Sequence, residues 1–190
     1  MTRRLVLATR NAHKVVEIAR MRPDVLWVGL PDALGDPPET GDTFEANALE
    51  KARWVYERLG LPTLADDSGL EVDALGGRPG VRSKRYSPEA TAEANMTLLL
   101  RELDGVADRR ARFRCVLALV GPGGERTAAG VCEGAIGHAP RGTDGFGYDP
   151  LFLPDAAPGQ TLAELDGPGK DAISHRGAAL RHLDALLEGL

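Results

Sequence analysis

Apolar residues in this chain follow two rhythms, and polar punctuation marks where one gives way to the other. Arg4–Thr9 is apolar at its centre and reads as a buried strand, followed at once by Asn11, a residue type that caps helices. Across Ala12–Met21 the side chains Val15, Ile18 and Ala19 recur at helical spacing. Val25–Leu30 is strand-like again, and Pro31–Asp42 is a polar, proline-rich loop. Asp42 followed three residues later by Glu45 resembles a capping box. It predicts a helix to about Leu59, with Phe44, Ala48, Ala52 and Val55 on the inner face and Gly60 as its stop. Thr63–Asp67 is the next strand.

Beyond the loop Gly76–Gly80, Ser87 as cap and Pro88 in the first turn predict a helix to about Leu103. Arg112–Val120 and Arg126–Cys132, joined by Gly121-Pro-Gly-Gly124, read as a long antiparallel hairpin. Short strands are expected near Ala135–His138 and Pro150–Leu153. Ser174 is expected to cap a C-terminal helix carrying Leu180, Leu183, Leu186 and Leu187. The pattern is mixed α/β: a twisted sheet with flanking helices, forming two lobes around a central cleft within one domain spanning residues 1–190.

Composition narrows the function. An apolar fraction of 43% beside 27% charge is that of an ordinary globular chain, so no disordered or fibrous class applies. The net charge of −5 argues against nucleic acid as a partner, because general nucleic-acid binding leaves a basic footprint. A small anionic substrate stays open, since a local cluster of Lys and Arg outweighs the mean charge. No apolar run is long enough to span a membrane. Cys115 and Cys132 lie in strand-like runs with no metal-ligand spacing, which fits a reducing, cytoplasmic setting without structural zinc.

Five polar clusters exceed what folding needs. In Leu64–Asp73, strand alternation sends Asp66 and Asp67 to opposite faces unless the backbone breaks, and Ser68-Gly69 is the expected break. One carboxylate then faces a site and the other braces it; the plain alternative is a solvated strand end with a Ser-Gly turn. Thr9, Arg10, Asn11, Ala12, His13 and Lys14 form a strand end entering a helix. Its N–H groups suit phosphate, and a cation there opposes the helix dipole. Lys14 alone reads more readily as an ordinary surface lysine.

Glu39 precedes a helix on which Asn47 and Lys51 share one side. Metal and phosphate contacts compete there with a solvated acid and a snorkelling lysine. The loop Gly142–Pro150, with Phe146, Gly147, Tyr148 and Asp149, suits a planar ligand or a plain glycine-aromatic turn. Lys170, His175 and Arg176 gather three potential cations near one predicted helix start, suited to an anion or incidental to a cap. Together the clusters supply carboxylates for a hard cation, cations for phosphates and aromatics for a ring, which is the inventory for a nucleoside triphosphate with magnesium.

The stretches LATRNAHKVVEI, ETGDTFEANALEKA, ADDSGLEVDALGGRPGVRSKRY, RRARFRCVLAL, GTDGFGYDPLF and KDAISHRGAAL occur in order over nearly the whole chain. In them the chain resembles the Ham1/RdgB/inosine triphosphatase family. The resemblance implies an elongated α/β fold, Mg²⁺ dependence, a homodimer, and hydrolysis of ITP, dITP and XTP to the monophosphate and pyrophosphate. It implies that Thr9 to Lys14 line the triphosphate site, with Lys51 as a further contact. It gives Glu39 and Asp67 to magnesium, with Asp67 also the base for water. Ser68, Phe146 to Asp149, Lys170, His175 and Arg176 are implied to contact substrate.

Two positions depart from the family pattern. Arg10 stands where a small residue is usual, and Ala46 where Glu is usual, with Glu45 one position earlier and rotated by about 100° on the helix. Glu39 and Asp67 are therefore expected to carry more of the metal. On this reading Phe146 and Tyr148 stack on the base, and donors from His175, Arg176 or nearby backbone meet its 6-oxo group. Rival readings are a pyrophosphatase for other modified nucleotides, as in the Maf group, and a nucleotide-binding regulator without hydrolysis.

Overall fold

The computed structural model describes residues 3–188 and 190. Six strands form one open mixed sheet in the order β2-β1-β3-β4-β5-β6: β1 Arg3–Leu7, β2 Val25–Val28, β3 Thr63–Val72, β4 Arg110–Gly121, β5 Gly124–Ile136 and β6 Phe152–Pro154. β1 pairs in parallel with both β2 and β3, and β6 runs antiparallel to β5. The long hairpin is therefore present, and the strand expected at Ala135–His138 is the end of β5 rather than a separate element.

The chain divides into two compact units. The first comprises Met1–Ser68, Cys115–Gly130 and Arg176–Leu190. It holds helix α1, Ala12–Met21, with Asn11 accepting from the backbone N–H groups of His13 and Lys14 as its cap. It also holds α2, Phe44–Leu59, whose apolar stripe Phe44, Ala48, Ala52 and Val55 is buried and whose end Gly60 takes the left-handed backbone at φ 63°. The core of this unit joins Leu5 and Leu7 of β1, Ile18 of α1, Leu64 of β3, Leu117 and Leu119 of β4, and the leucines near the C-terminus.

The second unit comprises Gly69–Arg114 and Val131–His175. Its own core packs Leu70, Val72, Leu99, Leu103, Phe113, Ile136, Tyr148 and Phe152. Helix α3, Ala92–Glu102, lies here, as does α4, Gly167–Ile173, capped by Asp166 through Gly169 N–H. The chain ends in two short helices, α5 His175–Leu180 and α6 Leu183–Leu187.

Several boundaries differ from the sequence expectation, each for a local reason. The α2 cap is Thr43, whose hydroxyl accepts from Ala46 N–H; Asp42 stands one residue too early, and Glu45 instead accepts from the Thr127 hydroxyl. Helix α3 starts at Ala92 under a Thr91 cap. Ser87 to Ala90 form a turn first, with Ser87 N–H bonded to Asn95 Oδ1. The single C-terminal helix expected after Ser174 is two pieces, α5 and α6. Ser174 takes an extended backbone and closes α4, so Lys170 belongs to a helix before it rather than to the same first turn.

β3 does not break at Ser68-Gly69. It continues to Val72, where the hydroxyl of Ser83 receives Leu70 N–H.

Candidate functional site

Because β3 stays extended, alternation separates its two acids, and this arranges the first unit's polar residues. Asp66 and Ser68, two residues apart, share a face: Ser68 Oγ donates to Asp66 Oδ1 at 2.9 Å. On that face Lys14 Nζ pairs with Asp66 Oδ1, and Arg176 Nε donates to Asp66 Oδ2 at 2.9 Å. Arg176 continues through Nη1 to Glu17 of α1 and through Nη2 to Ser68 Oγ at 3.0 Å. Cys115 Sγ lies 3.1 Å from Asp66 Oδ2. Burial alone drives the Asp66 carboxyl upward, but Arg176 and Lys14 outweigh it and hold the group well below the usual carboxylate range. Burial and the neighbouring Asp66 push the Cys115 thiol far up, so it stays protonated and donates.

Asp67 faces the other way, toward α2. Lys51 Nζ donates to Asp67 Oδ1 at 2.9 Å and to Glu39 Oε1 at 2.7 Å, while Asn47 Nδ2 donates to Asp67 Oδ2 at 3.2 Å. The loop carrying Glu39 is held by side chains on one face of α2. Asn47 Oδ1 accepts from Gly41 N–H at 2.7 Å, and Glu50 accepts from the N–H and hydroxyl of Thr40, each at 2.7 Å. A Cβ on Gly41 would lie 2.7 Å from that of Ala46, so only glycine lets the loop approach this closely.

Burial raises the Asp67 carboxyl above its ordinary range, opposed by Lys51 and Lys14 and helped by Glu39. Lys51 is raised despite its own burial, since one ammonium gains from two carboxylates while each carboxylate gains only a share of it. The two lysines share an acceptor: Lys51 Nζ and Lys14 Nζ donate to the Asp66 carbonyl oxygen at 2.9 and 3.4 Å.

The turn into α1 is more self-contained than the sequence suggested. Thr9 Oγ1 accepts from Asn11 N–H at 3.1 Å, and Asn11 Oδ1 takes two of the helix's first N–H groups, while Ala12 and His13 are exposed. Arg10 is tied to the proline-rich loop, donating to the carbonyls of Pro31 at 3.0 Å and Gly35 at 3.1 Å and pairing with Asp36 at 2.9 Å.

The second unit holds its own group. Lys170 Nζ donates to Asp149 Oδ2 at 2.6 Å and lies 4.8 Å from the centre of the Phe146 ring. The same Asp149 oxygen accepts from Phe146 N–H at 2.7 Å. Gly145, at φ 76°, makes room for it, since a Cβ there would fall 2.2 Å from that oxygen. Gly147 turns the chain at φ 63°. The Tyr148 side chain points into the core and its hydroxyl donates to the Ser83 carbonyl at 2.9 Å, so the ring available for stacking is Phe146 and not the pair expected. His175 is buried and stacks on Phe113, with centroids 4.8 Å apart and planes at 12°.

Arg176 departs most from expectation. It is 1% exposed, and its donors engage Glu17, Asp66 and Ser68 rather than facing a base. Sequence reasoning assigned no role to Glu17, Cys115 or Glu50. Glu17 carried a readable signal: an acid beside Ile18, on the buried stripe one turn from Lys14. Cys115 carried none beyond its apolar run.

Residues 5–186 match the model of the Ham1 family. A dITP/XTP pyrophosphatase of Nitratidesulfovibrio vulgaris is 53% identical over 94% of this chain and 93% of its own length. One from Geobacter sulfurreducens is 52% identical over 93% and 92%. The structure of the Staphylococcus aureus Ham1 protein superposes with a TM-score of 0.87 at 39% identity, covering 98% of this chain and 99% of that one. With a family match spanning nearly every residue that builds both polar groups, the chain belongs to the Ham1 family.

Proposed function

We propose that this protein hydrolyses non-standard purine nucleoside triphosphates, namely ITP, dITP and XTP, to the monophosphate and pyrophosphate. The observation that carries this reading is the convergence of two lysine ammonium groups and two buried aspartates on one strand segment, Asp66-Asp67. Lys14 and Lys51 suit phosphate oxygens, and Asp67, raised by burial, suits a hydrogen bond from the attacking water. Water attacks the α-phosphorus and the bridging oxygen leaves with pyrophosphate. Phe146 offers a ring face to the base, and Lys170 a buried positive charge beside it.

Magnesium fits the donors present. Glu39 and Asp67 offer only hard carboxylate oxygens and already converge on one cation, Lys51. Magnesium is a hard cation that takes oxygen ligands, and it would be held by Glu39 and Asp67. When bound, magnesium supplies neutralisation of the charge that grows on the phosphate oxygens. Both compact units belong to one pyrophosphatase domain on this reading, supported by the continuous family match.

The deciding experiment is a panel of ITP, dITP, XTP, ATP, GTP and modified pyrimidine nucleotides, with and without Mg²⁺. Equimolar monophosphate and pyrophosphate from the non-standard purines alone is the expected result. Orthophosphate with a diphosphate would place attack at the γ-phosphorus and overturn the reading.

The free thiols of Cys115 and Cys132 support a cytoplasmic location, and no described helix is long and apolar enough to cross a membrane. A homodimer is proposed from the family resemblance, without nucleic-acid or membrane partners. Light scattering at micromolar concentration is expected to give twice the 20.2 kDa chain mass, and a monomer mass refutes the dimer.

A further inference from the structure

On the footing of that reading, we propose that Lys51 is a built-in counter-ion that occupies the magnesium ligands and yields them when a triphosphate arrives, which makes metal binding conditional on substrate. Lys51 Nζ touches Glu39 Oε1 and Asp67 Oδ1 at 2.7 and 2.9 Å, the two acids assigned to the metal. The second oxygen of Asp67 accepts from Asn47 at 3.2 Å, so both Asp67 oxygens already hold a donor. Each oxygen keeps a second lone pair for a divalent ion, but an ion using it meets an ammonium at hydrogen-bond range from the same carboxylates. Like charges so placed repel, more at the buried Lys51–Asp67 pair, where Lys51 is 4% exposed, than at the part-exposed Glu39.

A triphosphate changes that balance. It brings several negative charges, to which the ammonium, on a flexible four-carbon stem, can turn. Released carboxylates then accept the ion. By linkage, whatever substrate does for metal, metal does for substrate, to the same factor. Lys14 acts on Asp67 only through space, because its ammonium makes its ion pair with Asp66, whereas Lys51 bonds directly to Glu39 and Asp67.

The test measures Mn²⁺ bound to the free protein by electron paramagnetic resonance, without turnover. Lys51→Met is expected to bind the ion more tightly than wild type by at least about fivefold, the lower end of ordinary coupling between sites. Lys51→Arg, which keeps the charge, is expected to stay as weak as wild type. Asp67→Asn added to Lys51→Met is expected to abolish the gain. Inosine α,β-imidotriphosphate, which resists cleavage at the bridge, should tighten the ion on wild type by about 5- to 150-fold after correction for its own chelation, and much less on Lys51→Met.

If Lys51→Met fails to fold by circular dichroism, Lys51→Gln carries the same comparison. Equal ion affinity in wild type and the neutral variant, a gain that survives Asp67→Asn, or equal tightening of both proteins by the analogue overturns the proposal. Failure of the nucleotide panel with a tighter neutral variant would remove the proposed activity and leave the counter-ion standing. The opposite pair of results would remove only the counter-ion.

Discussion

Asp67→Asn is expected to lower turnover of ITP by about 10²- to 10⁴-fold, the usual contribution of a positioned acid-base group, while the protein stays folded. The structural half of this expectation follows from the sign of the shift. Asp67 sits above its ordinary range because burial, helped by Glu39, disfavours its charge more than Lys51 and Lys14 favour it. The folded state thus binds the proton more tightly than the unfolded one, and stability falls as pH rises from the unfolded carboxylate value to the folded one. A neutral amide of the same shape removes that cost and its oxygen can still accept from Lys51, while its NH2 meets the Asn47 donor and offsets part of the gain. Thermal unfolding and kcat, measured on the same preparation, check both halves. Turnover near that of wild type would take Asp67 out of the chemistry.

Its neighbour is expected to behave oppositely. Asp66→Asn should cost about 3–5 kcal/mol of stability, the range for removing one partner of a buried ion pair, because it takes the same carboxylate from both Arg176 and Lys14. Asp66 is held below its ordinary range, so its contribution is fully present above the unfolded carboxylate value. That contribution is lost as pH falls through the lower, folded value. Acid unfolding of wild type should therefore include this step, and urea midpoints of the two asparagine variants should differ widely. Equal midpoints would mean that the two faces of β3 are energetically alike.

The same geometry revises the part given to Arg176. A buried guanidinium bonded to Glu17, Asp66 and Ser68 organises one face of β3, and its loss would act first on folding. The Arg10 guanidinium is drawn to Asp36 and the carbonyls of the proline-rich loop. Glu45 reaches Thr127 on β5. Glu39 and Asp67 are the acids that meet at Lys51.

Elements governed by near neighbours were legible in the chain itself. The bounds and Asn11 cap of α1, the buried stripe and Gly60 stop of α2, and the long β4–β5 hairpin all follow from spacing within a few residues. The pairing of Glu39 with Lys51 was within reach too, since the two are 12 residues apart and joined by one loop and about two helical turns. Alternation by itself put Asp66 and Asp67 on opposite faces.

Only the tertiary structure decided which cation each of those acids would meet, and whether the strand would break between the faces. Arg176 reaches Asp66 and Glu17 across 110 and 159 residues of chain. That contact depends on a sheet order in which β3 lies between β1 and β4, and no periodicity encodes such an order. Ser68-Gly69 carries the composition of a turn, yet it stays extended as part of a paired strand whose Leu70 amide is received by Ser83 from a distant loop. Local propensities amount to tenths of a kcal/mol per residue. Leaving one partner of a buried ion pair without the other costs about 3–5 kcal/mol, so where the two disagree the larger, non-local terms set the site.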